Sequence, residues 1–152
     1  MPNTYTQLYI HIVLVVKSRQ NLILESWEED LYKYITGIIK NNSQKLIIIN
    51  GYKDHIHILV GLSTNITVAD LVRVIKTNSS KWINQNKFVK GKFEWQKGYA
   101  AFTIGQSQMN KTFKYIENQK EHHKTKSFES EYISFLKAYK IDYDERYILK
   151  VE

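Results

Sequence analysis

The chain lacks cysteine altogether, has a single proline, and contains no apolar run long enough to cross a bilayer. Without cysteine, a disulfide scaffold, a zinc–thiolate site and a cysteine nucleophile are all excluded. The longest apolar run, residues 10–16, is interrupted by His11 and is far shorter than the roughly 20 residues of a membrane-spanning helix. No basic segment followed by an apolar stretch opens the chain, as it would in a secretory signal. We therefore expect a cytoplasmic protein with no membrane partner.

What the chain does contain is enough apolar material for a core, together with an excess of positive charge. Its 152 residues are 43 % hydrophobic and 13 % aromatic, a composition that excludes a disordered chain and suits one domain. The formal net charge is +7, which favours a polyanionic partner. Seven basic residues and one acid lie between Leu71 and Gly98, a stretch that either binds that partner or forms an ordinary solvated face.

The spacing of the apolar residues predicts strands and helices in alternation. The predicted strands are residues 5–17, 46–52, 56–62 and 93–104, and the predicted helices are residues 25–42, 67–86, about 106–121 and 128–139. The second and third strands are predicted to form a hairpin, since Lys53 and Asp54 lie at a tight reversal between them. Thr67 is the expected N-cap of the second helix, with Asp70 three residues later.

This β-α-β-β-α-β order predicts an α+β protein with a ferredoxin-like split β-α-β sandwich. Right-handed crossovers and short connections would place the first and third strands side by side in the centre of an antiparallel sheet. Helices would cover one face of the sheet, and further C-terminal helices would follow. We expect one domain over residues 1–152, with a core at about 1–104, a helix carrying Tyr115 at about 106–121, and a C-terminal helix and tail at about 127–152.

Three histidines fall on the two strands that we expect to be central. His55 and His57 share one face of their strand, because residues two apart point the same way. Two such imidazoles can hold one divalent metal if other elements complete the shell, or they can be surface histidines on a solvated strand. A central strand needs a covering helix, which favours the metal site. His11, on the neighbouring strand, is either a hydrogen-bond partner of this pair or a structural histidine.

The helix after Gly105 brings a tyrosine and an amide to one face. Tyr115 and Gln119 are four residues apart, so they project side by side one turn apart. The tyrosine is either a packing residue or a nucleophile beside a third metal ligand. A phenol with its ordinary pKa of about 10 attacks poorly at neutral pH and needs a polarised target. A divalent metal held by two imidazoles and an amide oxygen would polarise a phosphate, and this donor set suits Mg²⁺ or Mn²⁺.

Several short segments match those of one known family, in the same order along the chain. Residues 54–59 (DHIHIL) resemble the HUH motif of histidine, bulky hydrophobe and histidine, and residues 115–119 (YIENQ) resemble a tyrosine motif. Further matches lie at residues 11–13, 17–19, 95–102, 121–123, 135–136 and 142–145. Together they span nearly the whole chain. The sequence thus resembles the single-tyrosine HUH transposases of the insertion-sequence 200/605 type, which include the repeat-associated tyrosine transposases.

The resemblance implies a transposase that cleaves and rejoins single-stranded DNA with Mg²⁺ or Mn²⁺. Tyr115 would attack a phosphodiester, form a 5′-phosphotyrosine and release a 3′-hydroxyl, and His55, His57 and Gln119 would be the metal ligands. Such enzymes recognise subterminal hairpins and act as homodimers. In the dimer the tyrosine helix of one subunit completes the metal site of the other, and Gly105 would be the hinge.

The resemblance and the charge distribution together give a set of candidate DNA-binding residues, whose amines and guanidinium groups would release counterions from the phosphate backbone. These are Lys17, Arg19, Arg73, Lys76 and Lys97. Unpaired bases would stack on exposed aromatic rings. The activity would take place in the cytoplasm, at the nucleoid.

Three other functions are weighed against this one. Residues 97–102 (KGYAAF) begin like the RNP1 signature of a non-catalytic single-stranded nucleic-acid-binding module, but Ala101 and Phe102 depart from that signature. An HUH replication initiator or relaxase would share the chemistry, usually in a larger and differently ordered domain. A metal-dependent hydrolase is disfavoured, since the only carboxylate expected near the histidine pair is Asp54, which should point off that face.

Overall fold

The computed structural model describes residues 3–144, which form a four-stranded antiparallel sheet with helices on both faces. In chain order the elements are β1 (Leu8–Val15), α1 (Glu28–Asn41), β2 (Lys45–Tyr52), β3 (His55–Leu62), α2 (Val68–Gln85), β4 (Ala100–Ile104), α3 (Met109–Glu117), α4 (Gln119–His122) and α5 (Phe128–Ala138), with short 3₁₀ turns at Lys17–Arg19 and Gln106–Gln108. The predicted tail from residue 145 onward lies outside the described residues. Between residues 3 and 144 no helix is long and apolar enough to span a membrane.

The sheet order is β2-β3-β1-β4, so β1 and β3 are the central pair, as predicted. All neighbouring strands run antiparallel. In the register of β1 and β3, Val13 lies opposite His57 and Val15 lies opposite His55. The predicted α+β, ferredoxin-like fold is therefore confirmed.

One face of the sheet carries the main hydrophobic core. Alternation along β1 and β3 turns Ile12, Leu14, Ile56 and Ile58 to this face, where each is fully buried. They pack against the apolar stripes of α1 and α2, which include Leu31, Ile35, Leu71 and Ile75. Burying each of these side chains stabilises the fold by roughly 1.5–3 kcal/mol, so the pattern fixes which face of each strand points inward.

The opposite face of the same two strands carries the histidines. Alternation turns His11, His55 and His57 away from the main core, yet all three are buried. They are covered by the C-terminal part of the chain, where α5 packs on the sheet through Phe128 and Leu136. The covering layer that a buried central strand requires is thus built from α3, α4 and α5.

Two predicted elements are shorter than expected. Only Ala100–Ile104 forms β4, because the strand is interrupted at Gly98, whose φ of 81° is left-handed. Before the interruption Trp95 still forms an isolated bridge with Val16, and the Lys76 ammonium donates to the carbonyl groups of Gln96 and Gly98. The predicted helix over residues 106–121 is divided at Asn118 into α3 and α4.

A contact from the sheet accounts for the division. The side-chain amide of Asn50 in β2 donates to the carbonyl groups of Ile116 and Glu117, at 3.0 and 3.1 Å. Both carbonyls lie in the last turn of α3, where the regular hydrogen bonds of the helix run out, so the amide caps α3 from outside. Tyr115 therefore lies in the last turn of α3, and Gln119 opens α4.

Candidate active site

All five histidines of the chain lie around one buried carboxylate. Strands β1 and β3 supply His11, His55 and His57, and the end of α4 supplies His122 and His123. The carboxylate belongs to Glu131, which enters from α5 and is 1 % exposed. Four elements, two strands and two helices, thus build one polar site between the sheet and the C-terminal layer.

His55 is oriented by the acid that precedes it. Its Nδ1 lies 2.8 Å from Asp54 Oδ1, and its Nε2 lies 2.9 Å from Gln119 Oε1 and 3.5 Å from Glu131 Oε1. If the Nδ1–H donates to Asp54, a neutral ring presents a lone pair at Nε2, facing two oxygen acceptors. Three acceptor atoms converging in a buried site require a cation or a proton among them. The donor set therefore fits a divalent metal.

His57 contacts a second histidine and the central carboxylate. Its Nε2 lies 2.9 Å from Glu131 Oε1, and its Nδ1 lies 2.7 Å from His11 Nε2. Burial lowers the pKa of His57 to about 4, even though Glu131 acts in the opposite direction. Burial and the neighbouring His57 also hold the pKa of His11 well below its ordinary value. Both rings are neutral near pH 7, so His57 can donate to His11 through Nδ1 and present a lone pair at Nε2.

Tyr115 and Gln119 reach the same site from the C-terminal layer. The Tyr115 hydroxyl donates to the Glu131 carboxylate, and the Tyr115 ring lies 5.9 Å from the His57 ring. The fully buried Gln119 donates through Nε2 to Glu131 Oε2 at 3.1 Å, while its oxygen faces His55. Burial and the Glu131 carboxylate raise the pKa of Tyr115, so its hydroxyl is protonated at neutral pH.

Glu131 is the site residue that sequence reasoning missed. Burial alone would raise its pKa, but the polar contacts with His123 and His57 outweigh burial and hold the carboxyl well below its usual range. The expectation that only Asp54 would lie near the histidine pair was wrong, and Asp54 itself turns toward His55. A signal was present, because Glu131 lies one turn from both Phe128 and Phe135 on the apolar stripe of α5.

A cavity of about 540 Å³ is lined in part by Tyr115. Its lining includes His11, Tyr115, His122 and Glu131 together with two exposed cations, Lys111 and Lys126. A volume of several hundred Å³ is the size of a small-molecule site and accommodates a nucleotide. The cavity combines a buried polar end with cationic side chains, which suits a phosphodiester.

The candidate DNA-binding residues are spread over several elements. Three of them lie beside acids. Lys17 is 3.0 Å from Glu94 and Arg19 is 3.1 Å from Glu129. Arg73 is 3.6 Å from Asp70. Lys76 binds backbone carbonyls, and Lys97 is exposed. Arg73 and Lys76 belong to α2, on the face of the sheet opposite to the histidines, whereas Arg19 contacts α5.

Comparison with known proteins identifies the family of the chain. Residues 4–119 match the family described as Transposase IS200 like. Since the match spans well over half of the chain, the protein belongs to the IS200-like transposase family, as its motifs indicated. A curated relative, the ISDra2 transposase TnpA of Deinococcus radiodurans, is 23 % identical over 118 residues, which cover 74 % of this chain and 84 % of the relative.

Two solved structures share the fold. A protein from Deinococcus radiodurans described as a transposase has a TM-score of 0.64 at 21 % identity, covering 78 % of this chain and 95 % of its own. A REP-associated tyrosine transposase bound to a REP hairpin has a TM-score of 0.62 at 13 % identity, covering 81 % of this chain and 73 % of its own. Both confirm the arrangement of sheet and helices.

Proposed function

We propose that this transposase cleaves and rejoins single-stranded DNA through a 5′-phosphotyrosine formed on Tyr115. The observation that carries the proposal is the position of the Tyr115 hydroxyl, which points at the buried polar site instead of into an apolar core. A tyrosine that serves only in packing would not be expected to place its hydroxyl against a carboxylate surrounded by histidines. Tyr115 also lines the cavity that would admit a phosphodiester.

The residues that would hold a divalent metal are His55, His57 and Gln119, as the resemblance implied. His55, His57 and Glu131 each offer a ligand atom within 4.8 Å of the others, so Glu131 adds a carboxylate to the set. Mg²⁺ and Mn²⁺ accept such nitrogen and oxygen donors. When bound, the metal would polarise the scissile phosphate and stabilise the charge that develops on it.

Cleavage is a transesterification, so its atoms balance without water. The Tyr115 oxygen bonds to phosphorus while the bond from phosphorus to the 3′-oxygen breaks, and the phenolic proton leaves as the 3′-hydroxyl forms. Glu131 would hold the phenolic hydrogen and aim the oxygen. A 3′-hydroxyl then reverses the reaction, and because one phosphodiester replaces another, no nucleotide cofactor is needed.

Hairpin-bearing single-stranded DNA is the proposed partner. The REP-associated tyrosine transposase that shares this fold is bound to a hairpin. The excess of seven positive charges supports a polyanionic ligand here, and Lys17, Arg19, Arg73, Lys76 and Lys97 remain the proposed contacts. Since α2 and α5 lie on opposite faces of the sheet, these residues would follow a DNA that wraps around an edge of the sheet.

A homodimer with shared sites remains part of the proposal. Within one chain Tyr115 already lies beside its own His57, so an exchange would require α3 to leave Glu131. Gly105 has φ −76° and ψ 158°, which any residue adopts. A hinge at Gly105 would therefore use the freedom of glycine only while α3 moves, and not in the conformation seen here. Mixing Tyr115→Phe with His57→Ala subunits tests the exchange: restored cleavage supports it, and none after verified subunit exchange contradicts it.

The proposed activity is tested with a single-stranded oligonucleotide carrying a hairpin from the DNA that flanks the gene. Wild-type protein should cleave it and give a covalent DNA–protein adduct on a denaturing gel. Tyr115→Phe should bind the hairpin with unchanged affinity but form no adduct. A binding-only module, the alternative function, would give no adduct with either protein.

A further inference from the structure

One lysine beside the proposed metal ligand Gln119 makes contacts that the proposed reaction does not use. Lys120 follows Gln119 in α4, and its ammonium lies 2.9 Å from Asn50 Oδ1 and 2.7 Å from the Gly51 carbonyl oxygen, both in β2. The third acceptor is a carboxylate oxygen of Glu28 in α1, at 3.2 Å. Three acceptors match the three N–H donors of an ammonium group. Lys120 thereby joins α4 to both β2 and α1.

The acceptors of Lys120 are themselves fixed by the fold. The Glu28 side chain is only 14 % exposed and also accepts a hydrogen bond from the Tyr32 hydroxyl at 3.2 Å. Asn50 belongs to β2 and lies opposite His57 in the register of β2 with β3. Residues opposite each other on antiparallel strands share one face of the sheet. The contact of Lys120 with Asn50 therefore sets the position of α4 relative to the strand that carries the histidine pair.

The Asn50 side chain holds both sides of the break between α3 and α4. Its Nδ2 donates to the last carbonyl groups of α3, while its Oδ1 accepts from Lys120 in α4. A helix of only four residues has no stability of its own, so α4 depends on such contacts. One asparagine and one lysine thus fix the helix end that carries Tyr115 and the turn that carries Gln119.

We propose that Lys120 is a positioning residue, which holds α4 on the sheet so that the side-chain oxygen of Gln119 faces His55 at the metal site. The inference rests on the proposed function, because it takes Gln119 as a metal ligand. Gln119 is fully buried, and its Oε1 lies 2.9 Å from His55 Nε2. A ligand contributes fully only when packing and supporting hydrogen bonds hold it in place before the metal binds.

Charge and position predict opposite effects for the loss of this lysine. An ammonium group repels a divalent cation, so removal of its charge alone would tighten metal binding. Removal of the contacts that place Gln119 would weaken metal binding. A fall in Mn²⁺ affinity in Lys120→Met therefore reports the positioning role, because the lost charge acts in the other direction.

Calorimetric titration with Mn²⁺, without DNA, measures this effect. The protein is full length, metal-free and without a histidine tag. Lys120→Met should lower the affinity about tenfold, at the lower end of the roughly 10–100-fold range for lost supporting contacts of metal ligands. The matched control is Lys124→Met, which removes an exposed lysine of equal charge that pairs with the exposed Glu121. This control should not lower the affinity.

A double-mutant cycle asks whether Lys120 acts through Gln119. Gln119→Ala removes the amide ligand and should weaken Mn²⁺ binding by itself. If Lys120 acts by placing that amide, Lys120→Met in the Gln119→Ala background should lower the affinity by less than about twofold. A general loss of structure would instead give two effects that multiply.

Amide hydrogen exchange in the metal-free protein tests the contact itself. The N–H groups of His122 and His123 donate the hydrogen bonds that close α4, at 3.0 and 3.1 Å. Lys120→Met should speed the exchange of these two amides about tenfold or more and leave exchange in β3 unchanged. Asn50→Ala removes one acceptor of Lys120 and should do the same, which decides the question even if Lys120→Met does not fold. Circular dichroism confirms that each variant folds.

Three results would each overturn the positioning role. They are an unchanged or higher Mn²⁺ affinity in Lys120→Met, a further fall of tenfold in the Gln119→Ala background, and unchanged exchange in α4. Each leaves strand transfer standing, because that proposal is judged by the Tyr115 adduct. The expected cycle without an adduct would have the opposite meaning, supporting Lys120 and contradicting the phosphotyrosine. Wild-type protein that binds no Mn²⁺ would contradict the metal site and, with it, the role of Lys120.

Discussion

The hydroxyl group of Tyr115 in α3 donates a hydrogen bond to the carboxylate of Glu131 in α5. These residues are 16 positions apart and belong to different helices, and their contact joins the proposed nucleophile to the histidine cluster. Because the same carboxylate contacts His57 at 2.9 Å, the phenol and the proposed metal ligands form one connected site. The chemistry proposed for this transposase depends on that connection.

Loss of a strand histidine should remove metal-dependent cleavage. In His57→Ala the nitrogen facing Glu131 Oε1 is gone, so Mn²⁺ binding at the His55–His57 site and cleavage of the hairpin oligonucleotide should both be lost. Removing metal from wild type with a chelator should reduce cleavage to the same level, and added Mn²⁺ should restore only the wild type. Cleavage that persists in chelator would count against the metal site.

The contact between His11 and His57 should set metal affinity. His11→Phe removes the acceptor 2.7 Å from His57 Nδ1, and we expect Mn²⁺ affinity at the His55–His57 site to fall about 10–100-fold. His11→Gln supplies an amide oxygen in the same direction and should recover part of the affinity. Calorimetry measures both variants, and an unchanged affinity in His11→Phe would show that His11 is only a structural histidine.

Gly51 in β2 should be intolerant of a side chain. A Cβ there would overlap the His55 carbonyl oxygen and approach Ile56 Cα at 2.8 Å. Gly51→Ala should therefore reduce the free energy of unfolding by roughly 1–3 kcal/mol and disturb the strand that carries the histidines.

A helical glycine provides the matched control for this substitution. Gly37 in α1 has open space around it, so Gly37→Ala should increase the free energy of unfolding by about 0.5–1 kcal/mol. Urea denaturation measures both variants. Equal stability of the two would show that the close approach at Gly51 is relieved by movement of the strand.

The metal-free protein should lose stability as the pH falls from 6.5 toward 4. The pKa of His57 drops from 6.5 to about 4 on folding, so the unfolded chain binds more protons in this window and acid favours unfolding. The lowered pKa of His11 acts in the same direction. The pKa of His123 is raised, because the contact with Glu131 outweighs burial. Its contribution to the free energy of unfolding is therefore lost only as the pH rises above 6.5.

Denaturation midpoints measured in chelator across this range check the prediction. His57→Phe should flatten the profile, because it removes the group that must be protonated on unfolding. A wild-type profile that stays level between pH 6.5 and 4 would contradict the neutral state assigned to the buried ring.

Local patterns were sufficient to predict most of the fold and half of the site. Alternation placed His55 and His57 on one face of a central strand, and the Thr67 cap is confirmed by its acceptance of the Asp70 N–H at 3.0 Å. Helical spacing placed Tyr115 and Gln119 near each other, although Asn118 divides their helix. Such features depend on neighbours only a few residues away.

The contacts that sequence reasoning missed join distant segments. Glu131 reaches the histidines only because α5 packs on β1 and β3, and no local pattern gives the direction of that packing. The Asn50 side chain in β2 caps α3 at Ile116, 66 residues later, and the Lys76 ammonium in α2 binds the carbonyl groups of Gln96 and Gly98 before β4. Each is a polar side chain satisfying backbone or buried groups far along the chain, which residue spacing does not reveal.

Identification of the residue that becomes attached to DNA tests the central claim most directly. Wild-type protein is incubated with Mn²⁺ and the hairpin oligonucleotide, the adduct is digested, and the modified peptide is sequenced by mass spectrometry. The control is Tyr139→Phe, which removes another tyrosine hydroxyl lining the same cavity. We predict one modified residue, Tyr115, with the adduct kept in Tyr139→Phe and lost in Tyr115→Phe. An adduct on any other residue, or one that survives in Tyr115→Phe, would contradict the account.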